Sequence, residues 1–292
     1  MRDGKNKNKG GDKFMLEINQ NQKEFWNGPG GEAWVTGQET LDAAMRPVTE
    51  VLLKAAAVTS TDRVTDIGCG TGETTIEIAK HAASALGVDV SAPMLALATS
   101  RAEQAGLANV QFEQRDVQTA KLQPDTTLAM SRFGVMFFED PVAAFANIRA
   151  QMTSDGRLCF ACWKTPRENT WVSLPMSIVR QHVQDDTPPD PHAPGPFAFA
   201  DDSRVRSILD DAGWKDIDLV PVDFDMAWGD SPEAAAHGLI ERGPLRRIFV
   251  GDPSITEETK QATIKGIQEA LPPSNGGIFL KGAIWIVTAK AS

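Results

Sequence analysis

Between about residues 62 and 163, short apolar runs alternate with longer segments whose apolar positions recur every three or four residues. Val64 to Ile67, Leu86 to Val90, Val110 to Phe112, Leu128 to Met130 and Leu158 to Cys162 read as buried strands. The segments between them carry helix signals. Ser91 is placed to cap a helix through about Ala102. Asp140-Pro141 opens another, with Val142, Phe145, Ile148 and Met152 at helical spacing, ending before Asp155-Gly156. Strand-helix-strand repetition implies parallel strands, because parallel neighbours need crossover connections, and a sheet covered on both faces. The predicted fold class is α/β.

The texture changes on either side of this core. Residues 14 to 60 hold Trp26, Trp34, a turn-like Gly28-Pro29-Gly30-Gly31 and an amphipathic helix carrying Leu41, Met45, Val48, Leu52 and Leu53. After Trp163 come Pro188, Pro189, Pro191, Pro194 and Pro196, a density that no regular element accommodates, so a loop or lid is expected. Asp201 to Ala212 reads as a helix closed by Gly213, and Ile217, Leu219 and Phe224 as a strand. Helices near 231–248 and 256–271 precede a last strand at Ile284 to Thr288. The implied division is a solvated tail over 1–13, an N-terminal helical lid over 14–60, a core over 61–163, and a cap with the final strands over 164–292.

Composition narrows the partners. With 29 Lys and Arg against 39 Asp and Glu, the net charge is −10. A phosphate-backbone binder needs a basic face, and Arg242, Arg246 and Arg247 are too few to build one; they read as a solvated helix end or a contact for an anionic substrate. At 41% hydrophobic and 23% charged, the chain matches ordinary globular proteins. No apolar run approaches the ~18 residues of a membrane span, and the first 13 residues have no apolar core of a signal peptide. Three cysteines suit a reducing compartment, so a cytoplasmic location is expected. Cys159 and Cys162 fall on opposite faces of one strand, and no second pair completes a metal site, so none is expected.

The strongest local signal is Val64-Thr65-Asp66-Ile67-Gly68-Cys69-Gly70-Thr71-Gly72, a strand running into a glycine turn and a helix beginning near Glu73. Glycines let the backbone turn sharply and approach a ligand at the carboxyl ends of the strands. Asp89 closes the second strand, where a carboxylate is placed to accept from both ribose hydroxyls of a nucleotide-like ligand. Dinucleotides and S-adenosylmethionine both fit that description. The dinucleotide fingerprint is G-x-G-x-x-G, whereas this turn is G-x-G-x-G followed by Glu73, whose charge repels an incoming phosphate. S-adenosylmethionine carries none.

Asp66 to Gly72 resembles motif I of the class I S-adenosylmethionine-dependent methyltransferases, and the resemblance runs over about residues 25 to 163, nearest the ubiquinone/menaquinone-biosynthesis type. It implies a Rossmann-like, doubly wound, mostly parallel seven-stranded sheet whose last strand is antiparallel, with helical cap elements. It also implies S-adenosyl-L-methionine as cofactor and S-adenosyl-L-homocysteine as product. Cofactor contacts then fall on Asp66, Gly68, Cys69, Gly70 and Gly72, on Asp89, Val90 and Met94 after the second strand, and on Asp116 and the Val117 amide for the adenine. Ser131, Arg132 and Phe133 would run beside the sulfonium, and Trp34 and Gln38 would cover the methionine end. Phe133, Trp26 and Trp34 are the aromatics expected nearest the sulfonium, which aromatic faces attract.

The expected partner is a small methyl acceptor, neither nucleic acid nor membrane; a homo-oligomer stays open. Its apolar character, as in quinones, isoprenoids or other natural products, is suggested by Phe133, Met136, Phe137, Phe138, Trp171, Phe197 and Phe199, for which core packing is the rival explanation. Catalysis is expected to come from positioning and water exclusion. Candidates for a general base are His182, His192, His237 and Glu139; His81 sits too far from the glycine turn, and Asp140 is explained as an N-cap. The competing functions are a nicotinamide-dependent oxidoreductase on a similar sheet and a non-catalytic S-adenosylmethionine-binding module.

Overall fold

A computed structural model describes residues 20–121, 125–181, 190–242, 249, 255–271 and 276–292. The expected tail over 1–13, His182, Pro188, Pro189, Arg246 and Arg247 lie outside them. Seven strands form one sheet in the order β3-β2-β1-β4-β5-β7-β6. They are β1 (Arg63–Ile67), β2 (Ser84–Asp89), β3 (Val110–Gln114), β4 (Thr126–Arg132), β5 (Met152–Trp163), β6 (Lys215–Gly229) and β7 (Ile278–Lys290). Strands β1 to β5 pair in parallel, and β7 lies antiparallel to both β5 and β6. The doubly wound sheet with an antiparallel last strand is the fold that was expected.

The helices begin where the chain supplies caps. Helix α1 covers 20–27. It is followed by α2 (Pro29–Thr36), α3 (Gln38–Ala56), α4 (Glu73–Ala79), α5 (Ala92–Gln104), α6 (Pro141–Arg149), α7 (Thr170–Val179), α8 (Asp202–Asp211), α9 (Pro232–Arg242) and α10 (Glu257–Ala270). The Ser91 hydroxyl accepts from the Met94 amide, Asp140 from Ala143, and Asp201 from Ser203 and Arg204, each satisfying an amide that has no partner within its helix. Gly213, at φ +87°, follows α8 as expected.

Three expectations need correction. The turn at Gly28 to Gly31 is confined to Gly28: Pro29 starts α2, and Gly30 and Gly31 lie buried inside it. A Cβ on Gly31 would stand 2.1 Å from the Trp26 carbonyl oxygen, so these glycines permit close packing rather than chain reversal. Met152 does not belong to α6, which stops at Arg149; it opens β5, and Asp155-Gly156 lies within that strand. Thr126 pairs with Met152 and Leu128 with Arg157, so the extra β5 residues loop out as an irregularity where a turn was expected.

The stretch expected to form a lid divides in two. Val48, Leu52 and Ala56 of α3 are buried, and Cys159 of β5 donates to the Leu52 carbonyl, so α3 is a sheet-covering helix. Helices α1 and α2 and the first turns of α3, which carry Gln38 and Asp42, lie toward the glycine turn. In β6 the buried positions change parity, from Ile217 and Leu219 to Phe224, Met226 and Trp228. The lower part is covered on the α8 side of the sheet and the upper part on the opposite side. Cys159 and Cys162 also face opposite sides, toward α3 and toward the Phe199 carbonyl respectively.

Candidate active site

The glycine turn is assembled by backbone packing before any ligand is considered. Ser131, fully buried on β4, donates to the Ile67 carbonyl (2.7 Å) and accepts from the Gly134 amide (3.1 Å). That pulls the chain after β4 against the chain after β1. Gly68 has φ +67°, and a Cβ there would stand 2.7 Å from Gly134 Cα. A Cβ on Gly72 would meet Ala98 Cβ at 2.8 Å, whereas one on Gly70 would meet nothing closer than the Met94 sulfur at 3.9 Å. Gly68 and Gly72 therefore serve the fold, and Gly70 presents the open face.

Two buried acids flank this turn. Asp89 accepts from the Gly70 and Ser91 amides, one to each oxygen and both at 2.9 Å. Burial raises its pKa against those hydrogen bonds. Each oxygen keeps acceptor capacity for a ligand hydroxyl. Asp66, 1% exposed on β1, accepts from the Thr75 hydroxyl (2.6 Å) through one oxygen, and its other oxygen is buried without a partner. Burial pushes its pKa up to about 7. Such an oxygen suits an ammonium group. Burial, reinforced by Asp89 and Asp66, holds the Cys69 thiol well above its ordinary pKa, so Cys69 is no thiolate nucleophile.

Thr49, Asp42 and Arg101, which the sequence reading passed over, join Gln38 and Arg132 in tying this turn to α3. Arg132, at the end of β4, pairs with Glu73 and donates to the Thr49 hydroxyl (2.7 Å). Arg101 bridges Asp42 (2.7 Å) and the Thr71 carbonyl (2.6 Å), and Gln38 donates to the same Asp42 oxygen (2.5 Å). Asp42 is 7% exposed, and its second oxygen has no hydrogen-bond partner, with Arg132 at 3.9 Å. The available signal was the i, i+4 spacing of Gln38 and Asp42 on one helix face. Glu73, read as a repellent for phosphate, is here the partner of a cation.

The N-terminal helix clasps the other side. Asn27 donates to the Val90 carbonyl (2.9 Å) and accepts from the Ala92 amide (2.9 Å), while Ser91 donates to the Trp26 carbonyl (2.6 Å). Lys23 reaches Asp116 at 3.1 Å, another contact the sequence did not announce. Val117 is buried, and its carbonyl accepts from Asn147 (2.8 Å). The three aromatics grouped near the sulfonium do not meet one another. Trp26 packs edge-on against Phe137 at 5.2 Å, Trp34 stands half-buried on α2, and Phe133, at φ +68°, stacks on Trp163 at 4.3 Å.

Apart from Phe137, which packs on Trp26, the proposed acceptor-side aromatics separate into two groups. Phe199 and Phe138 pack with Phe145 and Phe160 in the interior and explain themselves as core. Phe133, Trp171 and Phe197 instead join Trp163, Phe224 and Trp228 in a chain of rings beyond the carboxyl ends of β4 and β5. The proline-rich stretch closes onto the same region, with the Gly195 amide donating to the Met136 carbonyl (3.0 Å). His192 is exposed and His237 half-buried on α9. One oxygen of Glu139 is buried without a partner, and burial, with Asp140 nearby, raises its pKa. Among the described residues no group of three or more metal-ligating side chains converges, and no helix is long and apolar enough to cross a membrane.

A methyltransferase-domain profile matches residues 59–212, more than half of the chain. The protein belongs to the class I methyltransferase family. An uncharacterised methyltransferase from Bacillus subtilis, YcgJ, is 26% identical over 119 residues, 40% of this chain and 47% of that protein. A trans-aconitate 2-methyltransferase from Deinococcus radiodurans is 47% identical over 98 residues, 33% of this chain and 36% of that protein. The chain spans about half the length, or less, of such curated relatives. The YcgJ crystal structure superposes with a TM-score of 0.57 at 15% identity, covering 84% of this chain and 98% of that one. A Haemonchus contortus phosphoethanolamine N-methyltransferase bound to S-adenosyl-L-methionine gives 0.54 at 17% identity, covering 91% and 59%. These similarities establish the fold.

Proposed function

We propose that this methyltransferase carries a methyl group from S-adenosyl-L-methionine to a small, largely apolar acceptor. The observation that carries the reading is the Asp66, Gly70 and Asp89 arrangement. An open glycine face lies between a carboxylate aligned by two backbone amides and a buried carboxylate oxygen that lacks a cation. A ribose and an ammonium group answer those two requirements. The cofactor, when bound, supplies a methyl carbon already activated by the sulfonium charge.

The chain's contribution is to bind, orient and exclude water. Asp89 would hold the ribose hydroxyls, with Val90 and Met94 beside it; Asp66 would hold the amino group; Asp116 and the Val117 amide would face the purine. Gly68, Cys69 and Gly72 shape the turn. Ser131, whose hydroxyl is engaged by Ile67 and Gly134, contributes backbone only, and Arg132 neutralises the Glu73 and Asp42 carboxylates beside the methionine end, where Gln38 and Trp34 are assigned. Phe133 turns its ring toward the acceptor half. Holding both reactants in line and dry supplies roughly 7–11 kcal/mol of the barrier. Glu139, with an unpartnered buried oxygen near this edge, is preferred to His192 and His237 where the acceptor must lose a proton.

Calorimetry with S-adenosyl-L-homocysteine tests the reading. One-to-one binding that is lost in Asp89→Ala supports it. Binding of NAD(H) instead would overturn it in favour of an oxidoreductase. Cofactor uptake without methyl transfer to any compound in a metabolite extract would leave a binding module.

A further inference from the structure

Strand β5 ends at Trp163, opposite Ile284, but β6 and β7 continue to pair as a two-stranded ribbon as far as Gly229 and Ile278. About six residues at ~3.3 Å each carry the ribbon about 20 Å past the end of β5. At its end the register slips: Ala227 pairs with Phe279 and Gly229 with Ile278, so Trp228 is the extra residue of a bulge. Bulges re-aim a side chain, and beside an active site that is their common use. The Trp228 ring lies nearly parallel to that of Trp171, with centroids 6.0 Å and planes 21° apart. Its indole Nε1 is buried and has no hydrogen-bond partner.

Trp171 is held in the opposite manner. Its Nε1 donates to Asn169 Oδ1 at 3.0 Å. Asn169 is fully buried; it donates to the carbonyls of Lys164, Thr165 and Ala283 and accepts from the Ala283 amide. Trp163 packs on Trp171 at 5.0 Å and itself stacks on Phe133. One indole is thus fixed by four hydrogen bonds to its anchoring asparagine, and the other sits on a ribbon end with an unused donor. A planar ring between two others needs two contacts of about 3.5 Å, roughly 7 Å in all. With the two indoles stacked and their centroids 6.0 Å apart, the ribbon end has to move outward to admit such a ring.

We propose that Trp171 and Trp228 form a clamp for a flat, conjugated methyl acceptor, with Trp228 Nε1 donating to a carbonyl or ether oxygen of that molecule. This rests on the methyltransferase reading above, because the Phe133 and Trp163 stack is what links the clamp to the cofactor side. A buried donor left without a partner is the arrangement that most strongly selects for a ligand able to accept from it. A flexible aliphatic acceptor has no flat face to stack between the two indoles.

The test uses the full chain labelled with ¹⁵N at its indoles and saturated with S-adenosyl-L-homocysteine. Two probes of nearly equal shape are titrated, 2-acetylnaphthalene and 2-ethylnaphthalene, which differ in a carbonyl. The expected result is a shift of one indole N–H resonance with the acetyl probe only. That probe should also bind roughly 3- to 10-fold more tightly than the ethyl one, the range of a single net hydrogen bond. In Trp228→Phe that resonance disappears and the preference falls to about one. Equal binding of the two probes, no binding of either, or a shifted resonance that survives Trp228→Phe would overturn the clamp. If the variant fails to fold, the comparison of probes on the native chain decides alone. Failure of S-adenosyl-L-homocysteine to bind in the first step would instead remove the cofactor assignment, so the two failures are distinguishable.

Discussion

Along one edge of the sheet, the turn from Gly68 to Gly72 and the rings from Phe133 to Trp228 are made of different material. The first is built from backbone: amides aimed at Asp89, a glycine face left open at Gly70, and carboxylates whose charge is managed by Arg132 and Arg101. The second is built from side chains, with stacked rings and few hydrogen bonds. A backbone site depends on φ angles and crossing distances that tolerate almost no change of residue, whereas an aromatic wall keeps its apolar character through many exchanges. One cofactor shared by a whole family suits the first, and acceptors that differ from enzyme to enzyme suit the second.

Substitutions in each half should separate them. Phe199→Ala removes a fully buried ring packed on Phe145 and Phe160, and should cost about 3–5 kcal/mol in a urea titration while leaving the affinity for S-adenosyl-L-homocysteine unchanged. An equal loss of product affinity would show that the two halves are not independent. Asp89→Ala should do the reverse. Losing two charged hydrogen bonds to the ligand predicts roughly a hundredfold weaker binding by calorimetry, well beyond what its modest destabilisation explains.

Asp66 sharpens the contrast through pH. Its folded pKa, about 7, lies above the ordinary value of 3.8, so the folded chain binds the extra proton. The stability this contributes is fully present below about pH 4 and is lost as pH rises through 7, with a slope of up to about 1.4 kcal/mol per pH unit. Thermal melts of the ligand-free chain should therefore decline over that window, and Asp66→Asn should flatten the decline while weakening product binding. A melt that does not respond to Asp66→Asn would contradict the burial of an unpaired charge there. Smallest is Lys23→Ala. Its partly exposed pair with Asp116 should be worth no more than about 1 kcal/mol, read as less than a fivefold change in product affinity.

How much of this was legible follows from how local each signal is. The strand from Val64 to Ile67, the caps at Ser91 and Asp140, and the stop at Gly213 depend on residues within a turn or two, and all were readable. The glycine turn with Asp89 was readable as a spacing. Asp42, Arg101 and Lys23 were not, because each acquires its role from a partner tens of residues away. Gly30-Gly31 was misread because glycine signals a turn and close helix packing equally well; only the Trp26 carbonyl above Gly31 distinguishes them. The aromatic residues could be counted in the chain, but their division into interior core and a chain of rings beyond β5 could not, since alternation along a strand says which side a ring faces and not what covers that side.

By itself, then, the amino-acid order determined the parallel α/β core, the family motif and the two acids beside it, because periodicity, capping and turn chemistry act over a few residues. Tertiary structure decided which carboxylates are paired and which is left without a cation. It also decided which glycine keeps an open face and which rings meet beyond β5, because burial and charge pairing are set by residues that come together only when the sheet closes.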